Sequence, residues 1–127
     1  MTLKELCEEA HQIAVNNGFW ECHQCNGEKG DQSCGVCYGT GKERRNISEL
    51  LMLTVSELGE ACEALRKERL QGSDRTKWEK DTFEDEIADS FIRLADLCQA
   101  LHIDVEWQIE KKMTYNKTRP KKHGKKF

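Results

Sequence analysis

Four acids and four cysteines in this chain have the types and spacing that chemistry needs. Glu57 and Glu60 form an ExxE pair, and Glu86 and Asp89 an ExxD pair. Residues at i and i+3 share one face of a helix, so each helix would present two carboxylates. Leu50, Leu53, Ala61 and Ala64 lie at −7, −4, +4 and +7 from Glu57, so Glu57 interrupts an apolar stripe. Burying a carboxylate without a partner costs several kcal/mol. If the two helices pack face to face, four acids converge and repel one another unless a cation lies between them. An all-oxygen ligand set points to Mg²⁺ or Mn²⁺.

The cysteines make a different metal site. Cys22–His23–Gln24–Cys25 and Cys34–Gly35–Val36–Cys37 are CxxC pairs with eight residues between them. Each pair directs two thiolates at one ion, and together they supply the tetrahedral Cys₄ shell of structural zinc. Gly27, Gly30, Gly35, Gly39 and Gly41 provide the turn flexibility such knuckles need. A closed shell leaves no open position, so this zinc is expected to fold its segment rather than to catalyse. The CxxCxGxG form of Cys34–Gly41 resembles the repeat of the DnaJ cysteine-rich domain over about 20 residues.

A third group faces the carboxylates in kind. Lys112, Asn116 and Arg119 fall at i, i+4 and i+7 and would share a helix face suited to polyphosphate oxygens. Trp20, with His11 on the preceding helix, is a candidate for stacking on a base.

The elements that must position these groups read as four helices. Leu3, Leu6, Cys7, Ala10, Ile13 and Ala14 give residues 2–17 a helical stripe that stops at Gly18. Asn46–Ile47–Ser48–Glu49 resembles a capping box opening a helix over 46–70. Thr76–Lys77–Trp78–Glu79 predicts another start, with a third helix reaching about 101 and burying Phe83, Ile87, Phe91, Leu94, Cys98 and Leu101. Asp104 predicts the N-cap of a fourth helix over 105–117, which must end before Pro120. Cys7, Cys62 and Cys98 fall in apolar phase and read as core thiols, and Trp78 and Trp107 as packing residues. The expected architecture is an all-α, antiparallel four-helix bundle over 1–127, with a zinc-knuckle insert at 21–42 and a basic tail at 118–127.

Composition bounds the alternatives. At 127 residues the chain fits one domain. It is 34% charged where ordinary domains run about 25%, which suits helices with wet outer faces. No apolar run reaches membrane-spanning length, and the acidic, amphipathic start argues against a signal peptide. A cytoplasmic location is the expectation. The net charge of −3 conceals a polarity: residues 111–127 carry eight Lys or Arg and no acid. Such a tail suits a phosphate-bearing ligand or simple solubility.

The combination resembles a MazG-like nucleotide pyrophosphohydrolase of the all-α NTP pyrophosphatase superfamily. The residues that carry the likeness are Glu57-Leu-Gly-Glu60, a spacer of 25 residues and Glu86-Ile-Ala-Asp89, within SELGEACEALR and EDEIADSFIRLADL. The opening EEAHQIAVNNGFWE and the closing KKMTYNKTRPKKHGKKF are also similar. The resemblance implies hydrolysis of a (deoxy)nucleoside triphosphate to monophosphate and pyrophosphate, with Mg²⁺ at Glu57, Glu60, Glu86 and Asp89. It further implies substrate contacts from Lys112 and Asn116, with Arg119 beside them, and a homo-oligomer, dimer or tetramer. The cysteine-rich insert departs from the family pattern and bears on substrate choice. Neither a membrane nor a nucleic acid is an expected partner. Two other readings remain. A non-enzymatic zinc protein binding nucleic acid through its tail predicts steeply salt-dependent binding without hydrolysis. An adaptor bundle with merely salt-bridged acids predicts no thermal response to Mg²⁺.

Overall fold

In the computed structural model the chain folds into four α-helices packed as a bundle, with the cysteine-rich loop between the first two. The structure describes residues 1–25, 27 and 32–127. Gly30, expected to serve a knuckle turn, lies outside them.

α1 spans Leu3–Asn16. Its start is a capping box: Thr2 accepts from the Glu5 N–H, and Glu5 accepts from the Thr2 N–H. α2 spans Ile47–Arg66 and is capped by Asn46, whose side chain accepts from the N–H groups of Ser48 and Glu49. It ends before the expected residue 70, and Glu68 already has a positive φ of 54°. α3 spans Phe83–Ala100 with Thr82 as its N-cap. The predicted start at Thr76 is wrong. Thr76 donates its backbone N–H and its hydroxyl to the Asp74 side chain, closing a local turn. α4 spans Val105–Lys117, with Asp104 accepting from the Trp107 N–H as expected. No helix is long and apolar enough to cross a membrane among the described residues.

α3 is the hub. α2 packs along one side of it and α1 along another, while α4 rests against α1. Cys7 and Ala10 of α1 meet Ala95 of α3, with Leu6, Cys98 and Val105 around them. The α2–α3 contact is made of small residues. Ala61, Ala64, Thr54 and Ser90 are all buried, and the two hydroxyls are satisfied by the Leu50 and Glu86 carbonyls of their own helices. Short side chains let the two helices approach closely. That approach brings their carboxylates together.

Several expected core residues face outward. Phe91, Leu94 and Leu101 of the predicted α3 stripe are exposed, Phe91 at 62%. The buried positions of α3 are Glu86, Ser90, Ala95 and Leu97 instead. Cys62 is exposed, contrary to the core reading, and Trp78 and Trp107, read as packing residues, are exposed as well. Cys7 is buried and Cys98 half-buried, as expected.

Candidate metal centres and cleft

Glu57 and Glu86 are 7% and 6% exposed, among the most buried polar residues described. Glu57 comes from the buried stripe of α2 and Glu86 from the first turn of α3. Together with the exposed Glu60 they place carboxylate oxygens within 4.8 Å of one another. Oxygens about 2.1 Å from a Mg²⁺ ion lie about 3 to 4.2 Å apart, so the three acids fit a small divalent cation. Asp89 stands outside this trio and lines the adjacent cleft beside Glu57.

Electrostatics agree with the geometry. Burial raises the Glu86 carboxyl above its usual range, and Glu60, Asp89 and Glu57 push it further. Burial also raises Asp89, followed by Asp85 and Glu57, against a lowering pull from Arg93. Asp81 and Asp85 lie within the same 4.8 Å range of Glu86. Asp85 is already engaged, however, accepting from the Asp81 N–H and the Trp78 indole, and so braces the start of α3.

A pH-dependent response to metal follows. Acids whose pKa is raised are protonated first as pH falls, and protons then compete with the cation. Millimolar Mg²⁺ or Mn²⁺ is expected to raise Tm by several degrees at pH 8 and much less at pH 5. Thermal unfolding at both pH values checks this, and an equal or absent response would remove the cation site.

The cleft has a volume of about 240 Å³ and is lined by α1, α2, α3 and the chain on either side of the insert. Ile13, Ala14 and Phe19 are among its apolar lining residues, and Glu57, Asp89 and Arg93 among its charged ones. Trp20 stands beside it. Its indole N–H donates to both oxygens of Asp96, at 3.0 and 3.2 Å. His11 Nδ1 meets Asp96 at 2.6 Å, and the His11 and Trp20 rings pack edge to face. Asp96 thus fixes both aromatic candidates against α3.

Sequence reasoning missed Asp96, Arg93 and Arg45. Arg93 pairs through Nε with Glu57, and Arg45 stacks over the Trp20 ring. The signal for Arg93 was present: it lies four residues after Asp89 and seven after Glu86, on the same helical face. Asp96 sits seven after Asp89. Arg45 had no such signal, because a loop delivers it.

Lys112, Asn116 and Arg119 stay together on and just beyond α4. The Lys112 ammonium and the Arg119 guanidinium both stand over the Tyr115 ring, at 5.0 and 5.6 Å. Among the described residues lining the cleft, none comes from α4.

The cysteine site is closed. Cys22, Cys25, Cys34 and Cys37 have their sulfurs within 4.8 Å of one another, three of the residues being buried. The Cys22–Cys34 and Cys25–Cys37 sulfurs are each 3.6 Å apart. That is far beyond a disulfide bond and close to the edge, about 3.8 Å, of a tetrahedron with Zn–S near 2.3 Å. The four thiols fit zinc. Burial disfavours ionisation of Cys37, but hydrogen bonds from the Gly41 and Gly39 N–H groups and from Cys25 and Cys34 together outweigh it and lower the thiol to about 6. Cys25 is pushed up to about 12, by burial and then by its sulfur neighbours. Four crowded sulfurs cannot all carry charge alone, and a divalent ion removes that restriction. His23 is not needed as a ligand and pairs with Glu43. Gly27, Gly39 and Gly41 adopt positive φ as expected, whereas Gly35 does not.

No family model, curated protein or solved structure matches the chain, so the fold and the two clusters of possible metal ligands stand on their own geometry.

Proposed function

We propose that this protein is a Mg²⁺-dependent nucleoside triphosphate pyrophosphohydrolase that converts a (d)NTP to the (d)NMP and pyrophosphate. One observation carries the reading: two buried carboxylates and a third, on facing helices, converge beside a cleft lined by both charged and apolar side chains. An adaptor bundle has no use for that arrangement, since replacing such acids with apolar groups would stabilise it.

Glu57, Glu60 and Glu86 would hold the cation, with Asp89 completing its surroundings at the cleft. When bound, the cation would supply polarisation of the polyphosphate and a more acidic water molecule. Glu57 or Glu60 would orient that water and take its proton. The apolar lining of the cleft, with Trp20 at its edge, offers a surface for the base. The Cys₄ site is read as structural zinc, acting through the loop it folds. Lys112, Asn116 and Arg119 remain substrate contacts in this reading, with α4 delivering them.

Self-association belongs to the same reading. Leu51, Val55, Leu58, Cys62 and Leu65 recur along α2 at the spacing of a coiled-coil seam, and all are exposed. Phe91 and Leu94 are exposed on α3. Gly59 lies within the helix, where Gly costs about 1 kcal/mol against Ala. A Cβ there would meet nothing within 4 Å, so no intrachain contact demands the glycine. An apolar face of this extent suits a second copy. Light scattering is expected to give a mass above one chain, and Leu58→Glu to lower it with helicity unchanged. A monomeric wild type at all concentrations would remove this part of the reading.

The direct test is pyrophosphate release from a panel of NTPs and dNTPs by zinc-replete protein, with and without Mg²⁺. Release that requires Mg²⁺ and favours one base is expected. No release from any nucleotide would overturn the assignment.

A further inference from the structure

The cleft has cations of its own that the α4 residues do not account for. Arg93 projects from the middle of α3 at the cleft wall, its side chain 39% exposed. A guanidinium carries five N–H donors. Nε is given to Glu57, and among the described residues nothing takes the Nη hydrogens. Arg45 lines the same cleft from a different element, the chain leaving the cysteine insert. Its guanidinium carbon lies 5.6 Å from the Trp20 ring centroid. Stacking of that kind occupies a face of the guanidinium and leaves its edge donors available.

We propose that Arg93 and Arg45 form the anion clamp of this cleft, donating N–H groups from two sides to the polyphosphate of the substrate; the assignment rests on the nucleotide reading above. The charge balance supports it. The cleft and its rim already hold Glu57, Asp89 and Asp96, and a nucleoside triphosphate adds about four negative charges. One divalent cation cannot offset that total, and two guanidinium groups reduce the remainder. Arginine suits the task because its planar fork matches two phosphate oxygens at once.

The clamp also gives the insert a role. The Glu43 N–H donates to the Trp20 carbonyl and the Cys22 N–H to the Gly41 carbonyl, closing the neck of the loop. Arg45 follows two residues later, and the Trp20 indole is anchored to Asp96 on α3. The folded insert therefore fixes Arg45 with respect to α3. Glu57 ties the other arm, since one carboxylate touches Arg93 and belongs to the acid trio.

The experiment is calorimetric titration of inorganic pyrophosphate, with Mn²⁺ present, into full-length zinc-replete wild type, Arg93→Lys, Arg93→Ala and Arg45→Ala. Titration of Mn²⁺ alone and circular dichroism accompany it. Arg93→Lys and Arg45→Ala are each expected to bind pyrophosphate at least about tenfold more weakly with helicity kept, and Arg93→Ala likewise where it folds. Arg45→Ala should leave Mn²⁺ affinity unchanged. Arg93→Ala strips a buried acid of its partner and can fail to fold; Arg93→Lys keeps the charge and loses the fork, so the proposal stays exposed to refutation. Unchanged pyrophosphate affinity in Arg93→Lys and Arg45→Ala would overturn the clamp, as would a wild type that binds no pyrophosphate. Nucleotide hydrolysis measured in parallel separates the two readings. Hydrolysis with clamp-independent binding removes only the clamp. Clamp-dependent pyrophosphate binding without hydrolysis keeps the clamp and removes the enzyme.

Discussion

Glu57→Gln is expected to abolish Mg²⁺-dependent pyrophosphate release, by at least about a hundredfold, while leaving the fold in place. The argument starts from the position of the side chain. Glu57 is buried in the α2–α3 contact, so its size and shape matter as well as its charge. Glutamine matches both. Its amide oxygen can still accept from the Arg93 Nε that Glu57 now engages. In the metal-free protein the substitution also removes one of the charges that push Glu86 upward. Stability without metal should therefore change little or rise slightly. What glutamine cannot supply is a charged ligand or a proton acceptor for water. Both the thermal response to Mg²⁺ and the turnover should disappear together. Glu63→Gln is the matched control: Glu63 is exposed on the same helix, pairs with Lys67 at 3.2 Å and should retain full activity. Near-normal hydrolysis by Glu57→Gln would sink the site assignment.

Loss of zinc from the Cys₄ site is expected to unfold the insert while sparing the helices. Structural zinc contributes on the order of 10 kcal/mol to small domains at neutral pH, and the described residues of this loop show little else. Around Cys22, Cys34 and Cys37 the packed hydrophobics are Cys25 and Val36. The neck adds a few backbone hydrogen bonds and the pairing of Glu21 with Lys42. The α1–α3 and α2–α3 contacts involve none of these residues. One zinc per chain should be found by elemental analysis, and Cys34→Ser should lose it. The variant should then be cut by protease within residues 22–42, keep most of its helical circular dichroism and show altered Trp20 fluorescence. Falling pH should release the metal too, because protons compete for the thiolates. A Cys34→Ser protein with wild-type protease resistance would show that the loop folds without the ion.

Much of this was legible in the sequence, and the reason differs by feature. The caps of α2 and α4 were readable because Asn46 and Asp104 act on N–H groups two or three residues away. The clustering of Cys22, Cys25, Cys34 and Cys37 was readable because CxxC spacing is itself a ligand geometry. Glu57 was readable because a charge in an apolar stripe is a local contradiction. The start of α3 was misread at Thr76, where Asp74 and Thr76 satisfy each other within a turn. Local hydrogen bonding competed with helix initiation there, and a capping pattern cannot show which one wins.

What the sequence alone determined is largely local: the number and order of the four helices, the caps of α2 and α4, two sets of candidate metal ligands and the polarity between acidic body and basic tail. Tertiary structure decided which face of each helix became its inside. Periodicity assigned Phe91 and Leu94 to the core, yet α3 buries Glu86, Ser90, Ala95 and Leu97, because small side chains let it lie close against both α1 and α2. The same packing set Glu60 with Glu57 and Glu86, left Asp89 at the cleft, and brought Arg45 to the cleft that Arg93 also lines. Those meetings join residues far apart in the chain, as do Arg93 with Glu57, 36 positions away, and Trp20 with Asp96, 76 positions away. Spacing along one helix carries no information about them; only the way the helices pack does.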